Sequence, residues 1–190
     1  MKRLLISFML AVALVIVPVA GALADTDNVI VTATPSYLGI SNSPATWTLN
    51  GISGNSTIEP DTTYYSNPQG DTTAPSATVL DGECRFTITN TSSVPTYVVI
   101  DIENFTGGSD PMTNSDDGTN GATSFGAYSW YSGMLYSNKV VAKTTGSGNL
   151  TSSLAAGTDL KWGMEVETQT DAWTGGTSST ATITITVTAA

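Results

Sequence analysis

The sequence predicts an all-β protein, an antiparallel β-sandwich of jelly-roll or immunoglobulin-like type, and three observations carry that expectation. First, its periodic runs alternate apolar and polar residues with a period of two, as a strand with one buried face requires. The last of them sets Ala181, Ile183, Ile185 and Val187 against Thr182, Thr184, Thr186 and Thr188. Second, Thr, Val, Ile and aromatic residues dominate these runs, and no segment beyond residue 24 carries a 3.6-residue apolar stripe. Third, Gly, Pro, Asn and Asp break the runs at irregular intervals, the layout of about eight to ten short strands in two packed sheets.

The chain opens on Lys2 and Arg3, an apolar run from Leu4 to Val19, and a small-residue tail whose Ala22 and Ala24 fit an A-x-A cleavage site. Residues 1–24 therefore read as a signal peptide cut before Asp25, and residues 25–190 as a single β-sandwich domain delivered to the extracellular space or the cell surface. An uncleaved anchor fits less well, because the run is short and Pro18 interrupts it near its end. No later stretch is apolar enough to span a bilayer.

The first expected strand runs from Val29 to Thr34 and stops at Pro35. A second places Trp47 and Leu49 on one face, ahead of an Asn50-Gly51 turn. The following Pro- and Gly-broken segment is loop, with a short edge strand in "DTTYYS". The clearest hairpin joins Cys84–Thr89 to Tyr97–Ile102 through a turn rich in Asn, Ser and Pro, with Val98, Ile100 and Ile102 as its core face. Residues 106–124 are too rich in Gly, Asn and Asp for regular structure. "FGAYSWYSGMLYS", "NKVVAKT" and "TDLKWGMEVETQ" then precede the terminal strand. In the third, Leu160, Trp162, Met164 and Val166 alternate with a polar face of Lys161, Gly163, Glu165 and Glu167.

Composition removes whole classes of function. Six basic against 16 acidic residues give a net charge of −10, more negative still without Lys2 and Arg3, so nucleic acid and anionic lipid are excluded as partners. With no His and one Cys there is no Ser-His-Asp or Cys-His constellation and no His-based zinc site. Cys84 shares its face with Phe86 and Ile88 and reads as a buried, inert thiol rather than half of an intermolecular disulfide. Glu165 with Glu167, and Asp101 with Glu103, lie about 7 Å apart along their strands, a spacing a glycosidase could use. Alternating carboxylates are also what any solvated sheet face shows, so the chain is read as a non-enzyme.

Two candidate ligand sites remain. Asp110, Asn114, Asp116, Asp117 and Asn120 supply hard oxygen donors of the kind calcium takes, although their spacing is not that of an EF-hand and a solvated loop is the ordinary reading. Trp130 and Trp173 fall near expected loops and are the candidates for stacking on a sugar, whereas Trp47 and Trp162 fall on apolar strand faces and read as core. Sequons begin at Asn55, Asn90, Asn104 and Asn149, as chance allows in a Ser/Thr-rich chain.

The signal peptide followed directly by a strand, and the F-x-I-x-N pattern of Phe86, Ile88 and Asn90 with Pro95 in the turn, resemble two kinds of secreted β-sandwich. One is the camelysin-like group of biofilm-matrix fibre proteins; the other is the immunoglobulin-like modules of bacterial and archaeal surface proteins. The similarity covers the N-terminal half of the exported chain. No HExxH motif accompanies it, so it brings no support for peptidase activity. "WTL" at Trp47 to Leu49 is similar to the motif of WxL wall-binding domains, but those motifs are paired and the nearest echo here is "WGM" at Trp162.

What the resemblance implies is a structural protein that polymerises by strand exchange, an extended segment of one subunit completing the sheet of the next. Residues 25–35 are the expected donor, because Val29, Ile30 and Val31 are apolar on both faces, as an inserted strand needs. The C-terminal strand, with its Thr face, is expected in its own domain's sheet. The alternative function is a non-catalytic polysaccharide-binding module.

Overall fold

The computed structural model describes residues 38–49, 58–173 and 178–190. The expected signal peptide, the strand from Val29 to Thr34 with its donor role, the Asn50-Gly51 turn and the Asn55 sequon lie outside those residues. Residues Ser36–Ala190 form one compact unit. Its described part is all-β, with two antiparallel sheets packed face to face and no α-helix.

The strands are β1 (Ile40–Ser43), β2 (Thr63–Tyr65), β3 (Phe86–Asn90), β4 (Thr96–Ile102), β5 (Thr113–Asn114), β6 (Ser124–Tyr131), β7 (Val140–Val141), β8 (Asn149–Leu154), β9 (Asp159–Glu167) and β10 (Ile183–Ala189). The larger sheet has the order β1-β3-β9-β6-β5, and the smaller β10-β4-β8. β9 is the axis of the larger sheet. β3 pairs its first half (Phe86 opposite Trp162), β2 its last turn of residues (Tyr65 opposite Glu165), and β6 runs along its other side from Tyr131↔Trp162 to Gly126↔Glu167. Between β3 and β2, Ser66 takes over the ladder: its N–H donates to the Met164 carbonyl at 2.8 Å and its Oγ accepts from the Met164 N–H at 2.7 Å.

The expected Cys84–Ile102 hairpin is not one. β3 belongs to the larger sheet and β4 to the smaller, so the connection is an arch that carries the chain across the core. Buried Asn90 holds it: its side-chain amide donates to the carbonyls of Val94, Leu154 and Ala155, and its Oδ1 accepts from the Ser92 N–H. Period two states which residues face the core, and the inward faces of a hairpin and of an arch read identically.

Other boundaries also move. Trp47 and Leu49 are not in a strand; β1 lies earlier and ends before Pro44, which has no N–H to extend the ladder. Both residues still pack against the core. The polar segment at 106–124 contains β5, a two-residue parallel pair with the start of β6. β8 was not legible, since only Leu150 and Leu154 interrupt its Asn, Thr and Ser.

Phe86, Ile88, Val98, Ile100, Ile102, Phe125, Leu150, Leu154, Leu160, Trp162, Met164 and Val166 fill the space between the sheets. Trp162 stacks on Phe86 with centroids 4.6 Å apart, and its Nε1–H donates to Asn42. A second, smaller core of Val79, Cys84, Trp130 and Met134 covers the outer face of the larger sheet. Its lid is a short ladder between residues 77–79 and 133–136, with Thr78 bridging Leu135. Gly163 makes that layer feasible, because a Cβ there would lie 2.7 Å from the Trp130 ring.

Candidate functional site

Among the described residues the architecture leaves two places where chemistry or binding could reside: a polar cluster under the outer lid and the edge of the smaller sheet at β10, which pairs with no described strand on its outer side. The cluster centres on Glu165, which pairs across β9 with Tyr65 on one side and Tyr128 on the other. Its carboxylate is buried, accepts from the Tyr136 hydroxyl and forms an ion pair with Lys139, both delivered by the turn that follows β6. The Lys139 ammonium also sits 4.3 Å from the centre of the Tyr128 ring and 4.9 Å from that of Tyr136. Burial, reinforced by the negative Glu165, pushes the Tyr136 hydroxyl well above the ordinary tyrosine range, and Tyr65 is raised for the same two reasons. Glu167 is raised too, by burial first and then by the charges of Asp61 and Glu165, with Lys139 opposing.

Chemically this arrangement is a clasp. The tyrosines remain protonated donors, and the Glu165 carboxylate is committed to Lys139 and Tyr136. Glu165 is therefore not on a solvated face, as simple alternation implies. Its burial comes from the lid, whose residues lie far away in sequence and carry no periodic signal.

The other predicted positions scatter. The Asn114 amide donates to the carbonyls of Ile102 and Ala142, and its Oδ1 accepts from Asp116 N–H. Asp116 takes the N–H and hydroxyl of Thr144, and Asp117 those of Thr119. Asn120 donates to Asp61 and to the Thr168 carbonyl, while the Asp110 carbonyl accepts from Ser179. These five do not converge on one point; Asp117 bonds within the loop, and the other four tie it to separate parts of the chain. Among the described residues no group of three or more His, Cys, Asp or Glu could hold a metal ion.

Trp130 is near a loop, as the penultimate residue of β6 just ahead of the turn at Ser132, but it is fully buried, with Tyr136 edge-on at 5.7 Å, so its ring is closed to a stacking sugar. Trp173 is half-buried against the main core, its indole N–H buried without an acceptor among the described residues. Cys84 is a free, buried thiol that ends the 3-10 turn Asp81–Glu83; it faces the second core rather than sharing the first with Phe86 and Ile88. Burial, then the charges of Asp81 and Glu83, push its pKa up to about 12.

The free edge is the stronger candidate. β10 pairs with β4 in unbroken antiparallel register from Ile183↔Ile102 to Ala189↔Thr96. The Glu103 N–H donates to the Thr182 carbonyl at 2.9 Å and the Ala190 N–H to the Pro95 carbonyl at 3.0 Å. In such a ladder hydrogen-bonded and non-hydrogen-bonded pairs alternate. The even-numbered residues of β10 therefore turn their backbone groups toward β4, and Ile183, Ile185 and Val187 turn theirs outward. The same three side chains point at the core, yet they are only half-buried, whereas their β4 partners Val98, Ile100 and Ile102 are 0, 1 and 2 % exposed.

Comparison with the other edges isolates β10. β1 is four residues long and closed by Pro44; β2, β5 and β7 are shorter. β8 meets β4 with two register shifts, which twist an edge out of line. Among the described residues β10 is the one long, regular edge, and no charged residue follows Asp171 to protect it. No helix of the described residues is long and apolar enough to cross a membrane. No family model matches the chain, and neither a curated protein nor a solved structure matches it.

Proposed function

We propose that this chain is a secreted or cell-surface structural protein that assembles with copies of itself into extracellular filaments by strand exchange, residues 25–35 of one copy serving the next. The single observation that supports the reading is the edge of β10: seven residues in regular register, no charge, and a core-facing side that its own domain half covers. An open edge of this kind is a template for another strand, and proteins without such a partner ordinarily blunt it with Lys, Pro or a bulge. The acidic surface, at net −10, opposes random contact between copies, so assembly of the proposed kind strengthens as ionic strength rises.

The test is size-exclusion chromatography and negative-stain microscopy of the chain beginning at Asp25, over a range of concentration and salt, with calcium and with chelator. Filaments that disappear when residues 25–35 are removed, from a protein that still unfolds cooperatively, support the reading. A monodisperse monomer under every condition overturns it. Retention of that monomer on polysaccharide, lost in Trp173→Ala, then marks the alternative, a carbohydrate-binding module.

A further inference from the structure

We infer that β10 itself is the acceptor, and that the strand it takes is Val29–Thr34 of a second copy, antiparallel to β10, with Val29 opposite Val187, Val31 opposite Ile185 and Ala33 opposite Ile183. This rests on the assembly reading above and adds the edge, the direction and the register.

The edge follows from the ladder parity. The outward N–H and C=O groups belong to Ile183, Ile185 and Val187, so an incoming strand must present its own hydrogen-bonding residues opposite these three. Residues directly opposite share a face, so the same incoming residues lie over the half-buried side of the core. The donor therefore needs small or β-branched apolar residues at three alternate positions. Val29, Val31 and Ala33 supply them, and the chain they belong to is long enough to span the edge before Pro35 stops the ladder at the level of Ala181.

Of the intervening positions the two threonines fit best, and Ile30 is the one apolar residue placed on the threonine face. Ile30 falls opposite Thr186, Thr32 opposite Thr184 and Thr34 opposite Thr182, so two of the three outward pairs are Thr–Thr, which pack and hydrogen-bond across strands. A shift by one residue turns Ile30, Thr32 and Thr34 inward and places two hydroxyls against Ile183 and Ile185 without acceptors. Antiparallel pairing keeps the sense of every other ladder in the smaller sheet. The donor brings no charge to the contact, since none lies between Asp27 and Pro35.

The pair Thr32–Thr184 is then a non-hydrogen-bonded pair with Cα atoms about 4.5 Å apart, within the range a disulfide spans. Thr184 is exposed, and the native thiol of Cys84 is buried. Two single variants of the exported chain, Thr32→Cys and Thr184→Cys, are mixed under mild oxidation and run on a non-reducing gel. A Thr32→Cys/Thr184→Cys heterodimer is expected, at least tenfold more abundant than with Thr188→Cys, whose Cα lies about 14 Å further along the edge. Filaments that need residues 25–35 but give no such cross-link overturn the assignment of β10 while leaving the assembly reading standing. An intrachain disulfide in the double variant, with none on mixing, overturns it in favour of the chain's own segment. Cross-linking of Thr184→Cys to itself overturns it in favour of two β10 strands edge to edge. Absence of any multimer overturns both readings together.

Discussion

Among the described residues β9 has strand neighbours on both sides and, from Trp162 to Val166, side chains covered on both faces; β10 has a neighbour on one side and a threonine face in water. Both place a regular set of apolar residues toward the same core: Leu160, Trp162, Met164 and Val166 from β9, and Ile183, Ile185 and Val187 from β10. The difference is in what surrounds them. Every inward residue of β9 is buried, while each of those from β10 is half open. The weight of a side chain in stability follows the area it removes from water and the cavity it leaves, so residues of equal hydrophobicity in the two strands are not equivalent.

The largest expected effect tests that inequality directly. Trp162→Ala removes a fully buried ring stacked on Phe86 and orphans Asn42, at a cost of about 4 kcal/mol in urea unfolding. Ile185→Ala in the isolated subunit costs about 1.5 kcal/mol, because water already reaches the site. Equal losses would break the comparison and show that something covers β10 in the subunit. A loss at Ile185 that grows on assembly would sharpen it, since the incoming strand supplies the missing cover.

The outward faces of the two strands differ as much as the inward ones. Glu165→Gln leaves the Lys139 ammonium without its counter-charge under the lid and costs about 3 kcal/mol, whereas Thr184→Val on the water face of β10 stays within about 0.5 kcal/mol. Near-UV circular dichroism of Trp130 reports the lid, and its loss in Glu165→Gln at temperatures where far-UV signal persists locates the damage there. Gly163→Ala comes next. Its Cβ meets the Trp130 ring at 2.7 Å, and the displacement costs about 2 kcal/mol; a neutral result would show that the lid has room to shift.

These contrasts also explain which parts of the fold the sequence carries. The inward residues of β3, β4, β9 and β10 were legible because alternation reports the face of a strand and little else. Whether a strand is central or at an edge depends on segments remote in sequence, so Glu165 and Thr184 look alike until the lid is in place. The β3–β4 arch was hidden for a related reason. Asn90 reads as a turn residue in either topology, and only its bonds to Leu154 and Ala155, 64 and 65 residues on, show that it joins two sheets. The signal for the lid was weak but present. Val79, Cys84 and Met134 are apolar residues at or beyond the ends of the periodic runs, and Trp130 needs an apolar neighbour for its outer face. The dispersed calcium candidates show the converse. Composition gathered them in one segment, and the fold assigned each oxygen or amide a separate hydrogen-bond partner.

The smallest expected effect lies at Glu167, where β9 leaves the covered region. Its pKa is raised by burial and by Asp61 and Glu165, so the folded state holds its proton more tightly than the unfolded chain does. Below the ordinary carboxylate range both states are protonated and the residue contributes nothing. As pH rises through the window between the unfolded value and the raised folded one, the unfolded chain releases its proton first, and stability falls. Above that window the loss is constant, so Glu167→Gln unfolds at a higher temperature than the native chain at neutral pH and at the same temperature in acid. Glu83 has the opposite slope. Burial pushes it up, but donors from Ser76 and Leu80 outweigh burial and hold it below the usual range. Its contribution is present above the ordinary carboxylate value and is lost as pH falls through the depressed one. Melting curves of Glu167→Gln and Glu83→Gln against pH should therefore depart from the native curve in opposite directions above the carboxylate range. If Glu167→Gln instead destabilises at neutral pH, the attraction of Lys139 outweighs burial and the repulsion of Asp61 and Glu165, and the sign assigned to Glu167 is wrong.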